Sequence, residues 1–540
     1  MPHSPRVSYC VLLTLCLVGF VLRYPRSEHE FGVDSFVWHG MVTSLNFHHF
    51  ALWVLNPLSY FGLYPLSQPS GSVFLLSAMS QIAAVPAEPA ILVLDFAVAA
   101  LGTLGAFLLG REFSSSPTIA LLVALVLSLT PEFIGSLMWQ VPTRILFTAM
   151  IPYLLWAMIR FTRAPSIRAA LLLAVVLALM MSFHRLAILM ALVALASLIT
   201  LLLLVAVRAL RLQFPSLFLR PVVLRNTSWL ALAGVLTVSV VMIVQANVLK
   251  EYSSGVIASG DTVEIQLLNL FVSLARSAGL LLPLAFLGIG ALARRRAKGF
   301  AEPFIVVALL AFLPTLFLRQ YTGFYTIPIT SILIVVGLDA LIAKLKHRVV
   351  RFSVVATAIG IALASGNAIV SYDLAQDTPL GHREYSLALY SMETGGGSWV
   401  FSEGLEGARV SAISGVKYLP VGGATTAFQG PELLTFGYLD RNGLNIRPLK
   451  ITDLTIESDS PFFLDGVQAE ADWAALHGTS VDSMPSRLVN VYQPRYLVTD
   501  NAHPFSYYAY GRYYPSELAL SAASERYAVY SDGIVTLWLL

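Results

Sequence analysis

Apolar residues run in long blocks through most of the chain, separated by short polar stretches. Blocks near residues 8–23, 89–110, 117–136, 145–160, 168–183, 186–207, 227–247, 271–293, 302–318, 323–343 and 350–370 approach the roughly 20 residues that a helix needs to cross a ~30 Å hydrocarbon core. The pattern predicts a polytopic α-helical membrane protein with about eleven transmembrane helices. Residues 24–89 then form one long first loop. Within it, 73–84 is apolar but only ~12 residues long, so it is expected to lie at the membrane interface as a helix rather than to cross.

The first block resembles a signal peptide in length and in having Arg6 before it. However, Arg23, Tyr24, Pro25 and Arg26 follow it without a small-x-small cleavage site, so an uncleaved helix is expected. Basic residues gather in alternate loops: Arg111; Arg160, Arg163 and Arg168; Arg208, Arg211, Arg220 and Arg225; Arg294, Arg295, Arg296 and Lys298; Lys344, Lys346, Arg348 and Arg351. Cytoplasmic loops collect such charges. The N-terminus is therefore expected inside the cell membrane, with the 24–89 loop and everything beyond about residue 371 outside. An odd number of spans satisfies this arrangement.

Beyond residue 371 the apolar blocks give way to Gly395-Gly396-Gly397, scattered acids and many tyrosines. Residues 372–540 are expected to form an extracytoplasmic mixed α/β domain, distinct from a membrane domain over 1–371. Strands are predicted at Ser398–Ser402 and Arg495–Thr499, with a terminal hairpin in which Asp532-Gly533 turns Tyr527–Ser531 into Ile534–Leu540.

Composition agrees with the pattern. The chain is 57% hydrophobic and 12% charged, whereas soluble domains carry roughly 25% charged residues. The net charge of +3 is spread over loops, which excludes the concentrated basic face of a nucleic-acid binder. Cys10 and Cys16 lie within the first block on different helix faces, so neither a disulfide framework nor a thiolate metal site is expected.

Chemistry concentrates at the head of the first loop, in Glu28-His29-Glu30-Phe31-Gly32-Val33-Asp34-Ser35-Phe36-Val37-Trp38-His39. Carboxylates beside a bilayer are costly and mark functional positions. The spacing Gly-x-Asp-Ser-Phe-x-x-His after a single N-terminal span resembles the first external loop of the GT-C glycosyltransferases. These polytopic enzymes take sugar from a polyprenyl-phosphate carrier and include the oligosaccharyltransferase catalytic subunits. The layout is also similar to theirs: one helix, a long acidic loop, further helices with basic inner loops, and an outer C-terminal domain.

The resemblance implies that Asp34 is catalytic, either as general base to the acceptor or as ligand to a divalent metal such as Mg or Mn. Read by itself, Asp34 is equally a helix N-cap. Glu30 is the second candidate carboxylate, with Glu28 as another, and both also suit a solvated loop. His39 is a candidate ligand or substrate hydrogen bond donor, or a histidine at the water interface. In the second outer loop, Thr130 to Arg144, the paired acids of the oligosaccharyltransferase branch are missing and only Glu132 is present, as a lesser metal candidate. Arg144 faces a phosphate or snorkels to headgroups. His184 and Arg185 sit at the outer end of the fifth span, in a hairpin turn or toward a cavity. The resemblance places Arg319 and Tyr321 against the carrier phosphate, which suits a guanidinium fork. It likewise makes the 247–269 loop, with Asp261 and Glu264, a closing loop.

The implied reaction moves a sugar from a polyprenyl-phosphate-linked donor to a glycan, lipid or protein acceptor, with membrane lipid as surroundings and no nucleic acid. The sequon-reading Trp-Trp-Asp-Tyr-Gly motif has no counterpart; Ser398-Trp399-Val400-Phe401 is the nearest stretch and lacks the acid. A transporter or flippase for lipid-linked glycans is the alternative, and would show related halves or matching broken helices, which the chain lacks. A non-catalytic membrane scaffold is the other.

Overall fold

The computed structural model describes residues 5–51, 54–55, 63–64, 69–114, 116–213, 271–272, 274–295, 299–316, 323–376, 380–394, 399–402, 404–420, 494–500, 506–509, 512–515, 527–531 and 535–539. They divide into two compact units. The first comprises Met1–Tyr24, Asp95–Met138 and Pro142–Gln376; the second comprises Pro25–Leu94, Trp139–Val141 and Asp377–Leu540.

The first unit is helical. Its elements are α1 (Pro5–Leu22), most of α4 (Ala87–Gly110), α5 (Pro117–Ser128), α6 (Pro131–Gly135), α7 (Thr143–Arg163), α8 (Ile167–Phe183) and α9 (Ala191–Gln213). They are followed by α10 (Leu282–Arg294), α11 (Ala301–Leu316), α12 (Gly323–Ile342) and α13 (Arg348–Gln376). Among the described residues, Ala87–Gly110, Thr143–Arg163, Leu274–Arg294, Gly323–Ile342 and Arg348–Ala368 are long and apolar enough to cross a membrane, and shorter apolar helices accompany them. The predicted span at 227–247 lies outside the described residues.

Two predicted spans are corrected. The block at 117–136 stops at Ser128, because a proline disfavours helical backbone in the residue before it; Thr130 is extended at ψ 138° and Pro131 opens the separate helix α6. The block at 186–207 starts with a 3-10 turn, Arg185–Met190, before α9.

Charge sits at the helix ends. Arg160 Nε donates to Glu112 Oε1 at 2.6 Å, and Arg163 pairs with the same carboxylate while its Nη2 donates to the Glu112 carbonyl at 3.1 Å. Two of the predicted basic loops thus meet. Deep exceptions are Asp95 and Arg23, both fully buried; Arg23 donates to the carbonyls of Gly19, Ser128 and Phe133 at 3.1, 2.9 and 3.4 Å. It ties the end of α1 to the ends of α5 and α6.

Helices α10 and α12 cross at backbone contact. A Cβ on Gly288 would collide with the Leu333 carbonyl, and one on Gly337 with the Leu284 carbonyl. Small residues permit such close crossings, where dispersion and backbone contact replace the hydrophobic drive that lipid cannot supply.

The second unit joins loop helices to a sheet. It contains α2 (Val33–His48), β1 (Val54–Leu55), β2 (Leu63–Tyr64), α3 (Gly71–Ala83), α14 (His382–Thr394), β3 (Trp399–Ser402), α15 (Gly404–Ser414), β4 (Lys417–Pro420), β5 (Pro494–Asp500), β6 (Ser506–Ala509), β7 (Arg512–Pro515), β8 (Ala528–Ser531) and β9 (Val535–Leu539). The larger sheet has the order β4-β3-β5-β9-β8, parallel from β4 to β5 and antiparallel from β5 to β8. Its core unites Leu387 and Ala388 of α14, Val410 of α15, Val416, Tyr496 and Val498 of β5, and Leu537 of β9. Helix α2 docks on α15 through Phe36, Ala408 and Ala412, and Thr43 Oγ1 donates to the Ala412 carbonyl at 2.7 Å.

Helix α3 occupies the short apolar run of the first loop. Its inward face carries Ser72, Ser77 and Ser80, the last two bonded to Asn46 of α2, while Phe74, Leu75 and Ile82 are exposed. Val73 and Leu76 are buried on the same inward face, and the exposed apolar side suits an interfacial helix.

The α10–α12 crossing predicts that Gly288→Ala lowers the melting temperature of the detergent-purified protein, since overpacking costs about 1–3 kcal/mol. Gly290→Ala on the same helix, where a Cβ meets nothing within 4 Å, should match or exceed wild type. Equal melting of the two variants would contradict the close crossing.

Candidate active site

The chain leaves α1 and turns into α2 through Gly32, whose φ of +91° suits glycine and whose Cβ position would lie 2.9 Å from Gln140 Oε1. Gly32, not Asp34, takes the N-cap position, and no side chain caps α2. The N-cap reading of Asp34 is therefore corrected: Asp34 lies inside the first helical turn, where a carboxylate still complements the helix dipole. Its side chain is outside the described residues.

Glu30, two residues before the cap, is fully buried. Its Oε1 accepts from Ser35 Oγ, and its Oε2 contacts His39 Nδ1 at 2.5 Å. Ser35 Oγ in turn accepts the Val141 N–H at 2.6 Å. The Glu30 main chain is held as firmly: its N–H donates to Glu88 Oε1 at 3.0 Å and its carbonyl accepts the Leu380 N–H at 3.2 Å. Beside it the Phe31 N–H donates to the Trp139 carbonyl at 3.0 Å, and Trp139 Nε1 to the Glu88 carbonyl at 3.0 Å. Buried carboxylates persist only with such donors.

A second layer surrounds this cluster. His29 Nδ1 is 3.1 Å from Glu88 Oε1, and its ring stacks on Tyr385 of α14 with centroids 4.0 Å apart. Burial, and after it the charge of Glu88, push the Tyr385 phenol above its usual range. Arg409, nearly buried, donates to Glu384 Oε1 at 3.1 Å and lies over the Phe36 ring. Glu28 is exposed.

In the first unit, the Arg144 guanidinium at the start of α7 lies 5.6 Å from the Phe324 ring centroid. One turn on, Phe147 meets Tyr325 edge-on at 5.5 Å and the His184 ring at 6.0 Å. Tyr325 also stacks on Phe312 at 5.1 Å. Arg144 and His184 thus belong to one aromatic cluster at the start of α12. The side chain of Arg185, all of Arg319 and Tyr321, and the 247–269 loop with Asp261 and Glu264 are outside the described residues.

Glu132 pairs with Arg276, Nε to Oε2 at 3.6 Å. Among the described residues no three His, Cys, Asp or Glu side chains gather in one place. Glu88, Arg276 and Arg23 were not foreseen as site or framework residues. A motif signal was available for Glu88 alone, an acid directly before Pro89 at a helix start.

Compared with solved structures, the chain is similar to the oligosaccharyltransferase of Archaeoglobus fulgidus in its apo form, with TM-score 0.56, 14% identity, and coverage of 92% of this chain and 70% of that one. The same enzyme in complex with Zn and sulfate gives 0.55, 15%, 92% and 68%. ArnT from Cupriavidus metallidurans bound to undecaprenyl phosphate gives 0.55, 12%, 99% and 97%. The fold is that of the GT-C glycosyltransferases. No family model and no curated protein matches the chain by sequence. The similarity to ArnT covers almost the full length of both chains.

The buried cluster predicts the effect of Ser35→Ala. Losing Oγ leaves the Val141 N–H and one Glu30 oxygen without their partner, at about 1–3 kcal/mol. Hydrogen exchange should quicken at Val141 and across 35–39 together; unchanged exchange at Val141 would contradict the network.

Proposed function

We propose that this protein is an integral membrane glycosyltransferase that moves a sugar from a polyprenyl-phosphate-linked donor to a glycan, lipid or protein acceptor on the extracytoplasmic face of the cell membrane. In this reading about eleven helices span, the N-terminus is cytoplasmic, and 372–540 form the outer domain. The observation that carries the reading is the GT-C fold over nearly the whole chain, with an acid placed in the first turn of α2 directly after the first helix. The reaction divides into two electrostatic tasks. The departing polyprenyl phosphate needs cations, and Arg319 and Arg144 are assigned to it, with Tyr321, His184 and Arg185 beside them. Stabilising that leaving group is the larger contribution, because charge develops there as the bond breaks. The sugar end needs a carboxylate, and Asp34 is assigned to the charge that develops at the anomeric carbon.

The test is release of polyprenyl phosphate from a labelled lipid-linked sugar in membranes that hold the protein. Asp34→Asn should abolish release while the protein still inserts and purifies at wild-type yield. Full release by that variant would remove the acid from the mechanism. Movement of intact lipid-linked sugar across the membrane without cleavage would make the protein a transporter.

A further inference from the structure

Ser35 and His39, four residues apart on one face of α2, both turn to Glu30. The hydrogens of this trio can be placed by elimination. Ser35 Oγ already accepts from Val141 N–H, which leaves its own hydrogen for Glu30. A carboxylate offers acceptors only, so the proton in the 2.5 Å contact with His39 sits on Nδ1. In the neutral ring the lone pair is then on Nε2. That nitrogen makes no hydrogen bond to any of the described residues, although His39 is only 3% exposed. The network thus uses every polar atom of the trio except the one able to accept a proton.

We propose that His39 is the general base of the transfer, with Glu30 behind it as a positioning residue; this rests on the glycosyl-transfer reading above. The acceptor O–H breaks and its proton goes to Nε2. The oxygen's electron pair forms the new bond to the anomeric carbon, and the carbon–oxygen bond to the phosphate breaks, its pair leaving on polyprenyl phosphate. The imidazolium is held against Glu30 until its proton passes to water. Glu30 fixes the tautomer and ring direction and stabilises the positive charge that forms, the task a buried acid performs behind a catalytic histidine. Fully buried and with each oxygen turned to Ser35 or His39, Glu30 acts through them rather than on substrate. Asp34 then serves the developing charge rather than the acceptor proton.

The test uses the full chain in liposomes made with extracted membrane lipids and glycans, which supply the acceptor hydroxyl, together with a panel of polyprenyl-phosphate-linked hexose, pentose and aminosugar donors, measuring polyprenyl phosphate release and thermal melting. His39→Asn retains an N–H donor for Glu30 but has no atom at the Nε2 position. It should melt close to wild type, keep its KM for donor and lose about 100-fold or more in kcat, the usual contribution of a general base. Glu30→Gln keeps the shape but not the charge and should lose at least about tenfold in kcat, again at unchanged KM. If His39→Asn fails to fold, Glu30→Gln decides. A folded His39→Asn, or failing that a Glu30→Gln, with wild-type kcat overturns the proposal while leaving glycosyl transfer intact. A wild-type chain that releases nothing from any donor overturns the transfer reading and the base with it.

Discussion

A carboxylate removed from water must find donors for its charge, and the second unit is arranged around that constraint at Glu30. Isolated burial of a charge costs far more than any single contact returns, while each hydrogen bond to a charged group contributes about 1.5–3 kcal/mol. Glu30 accepts from Ser35 and His39, and its main chain is fastened by Glu88 and Leu380. These partners come from α2, the start of α4 and the segment leading into α14, with 139–141 joined through Ser35. The charge itself is answered from α2, and the bonds to the Glu30 main chain and to Ser35 bring the other three stretches to the same point and fix how α2 begins.

The first unit meets the same constraint with the opposite sign. Arg23 is buried among helix ends and answers its charge with three main-chain carbonyls, groups that a terminating helix leaves without intrahelical donors. One guanidinium so completes α1, α5 and α6 together, because its fork offers several donors in fixed geometry. Asp95 is buried within α4 as well; other charges such as Glu112, Arg160 and Arg163 stay at helix ends, and α10 and α12 approach through glycine. In a chain with 12% charged residues, the few buried ions act as joints, and the apolar surface between them is interchangeable by comparison.

This division explains what could be read from the sequence. Apolar blocks and their basic punctuation are local, so helices such as Gly323–Ile342 and strands such as Pro494–Asp500 fall where periodicity indicates. Turns at residues 130–144 and at His184-Arg185 were legible, whereas the 3-10 geometry running on to Met190 was hidden because an apolar count does not register backbone geometry. Glu30 was legible as a candidate, since it sits in a compact acidic motif. Its actual partners were half legible: Ser35 and His39 are within nine residues, but Val141, Glu88 and Leu380 are supplied by the fold. Arg23 looked like an ordinary flanking cation and Arg276 fell inside a block counted as apolar, because nothing local reveals a partner more than a hundred positions away. The cap of α2 was misassigned for a similar reason, the choice of Gly32 depending on a positive φ beside Gln140.

The donors that make Glu30's burial tolerable also decide what it can do. A carboxylate whose oxygens are engaged by Ser35 and His39 has little basicity left to offer a third group, so its influence must pass through one of the two. Ser35 has already given its one hydrogen to Glu30 and receives from Val141. His39 is different in kind, since an imidazole that donates from one nitrogen becomes a better acceptor at the other. Burial thus transfers the acid's chemical capacity along the ring, from an oxygen sealed in the fold to a nitrogen on α2, the helix that also carries Asp34. A sequence comparison keyed to acids alone would look for catalysis at Glu30, whereas the base proposed above is the histidine that Glu30 contacts.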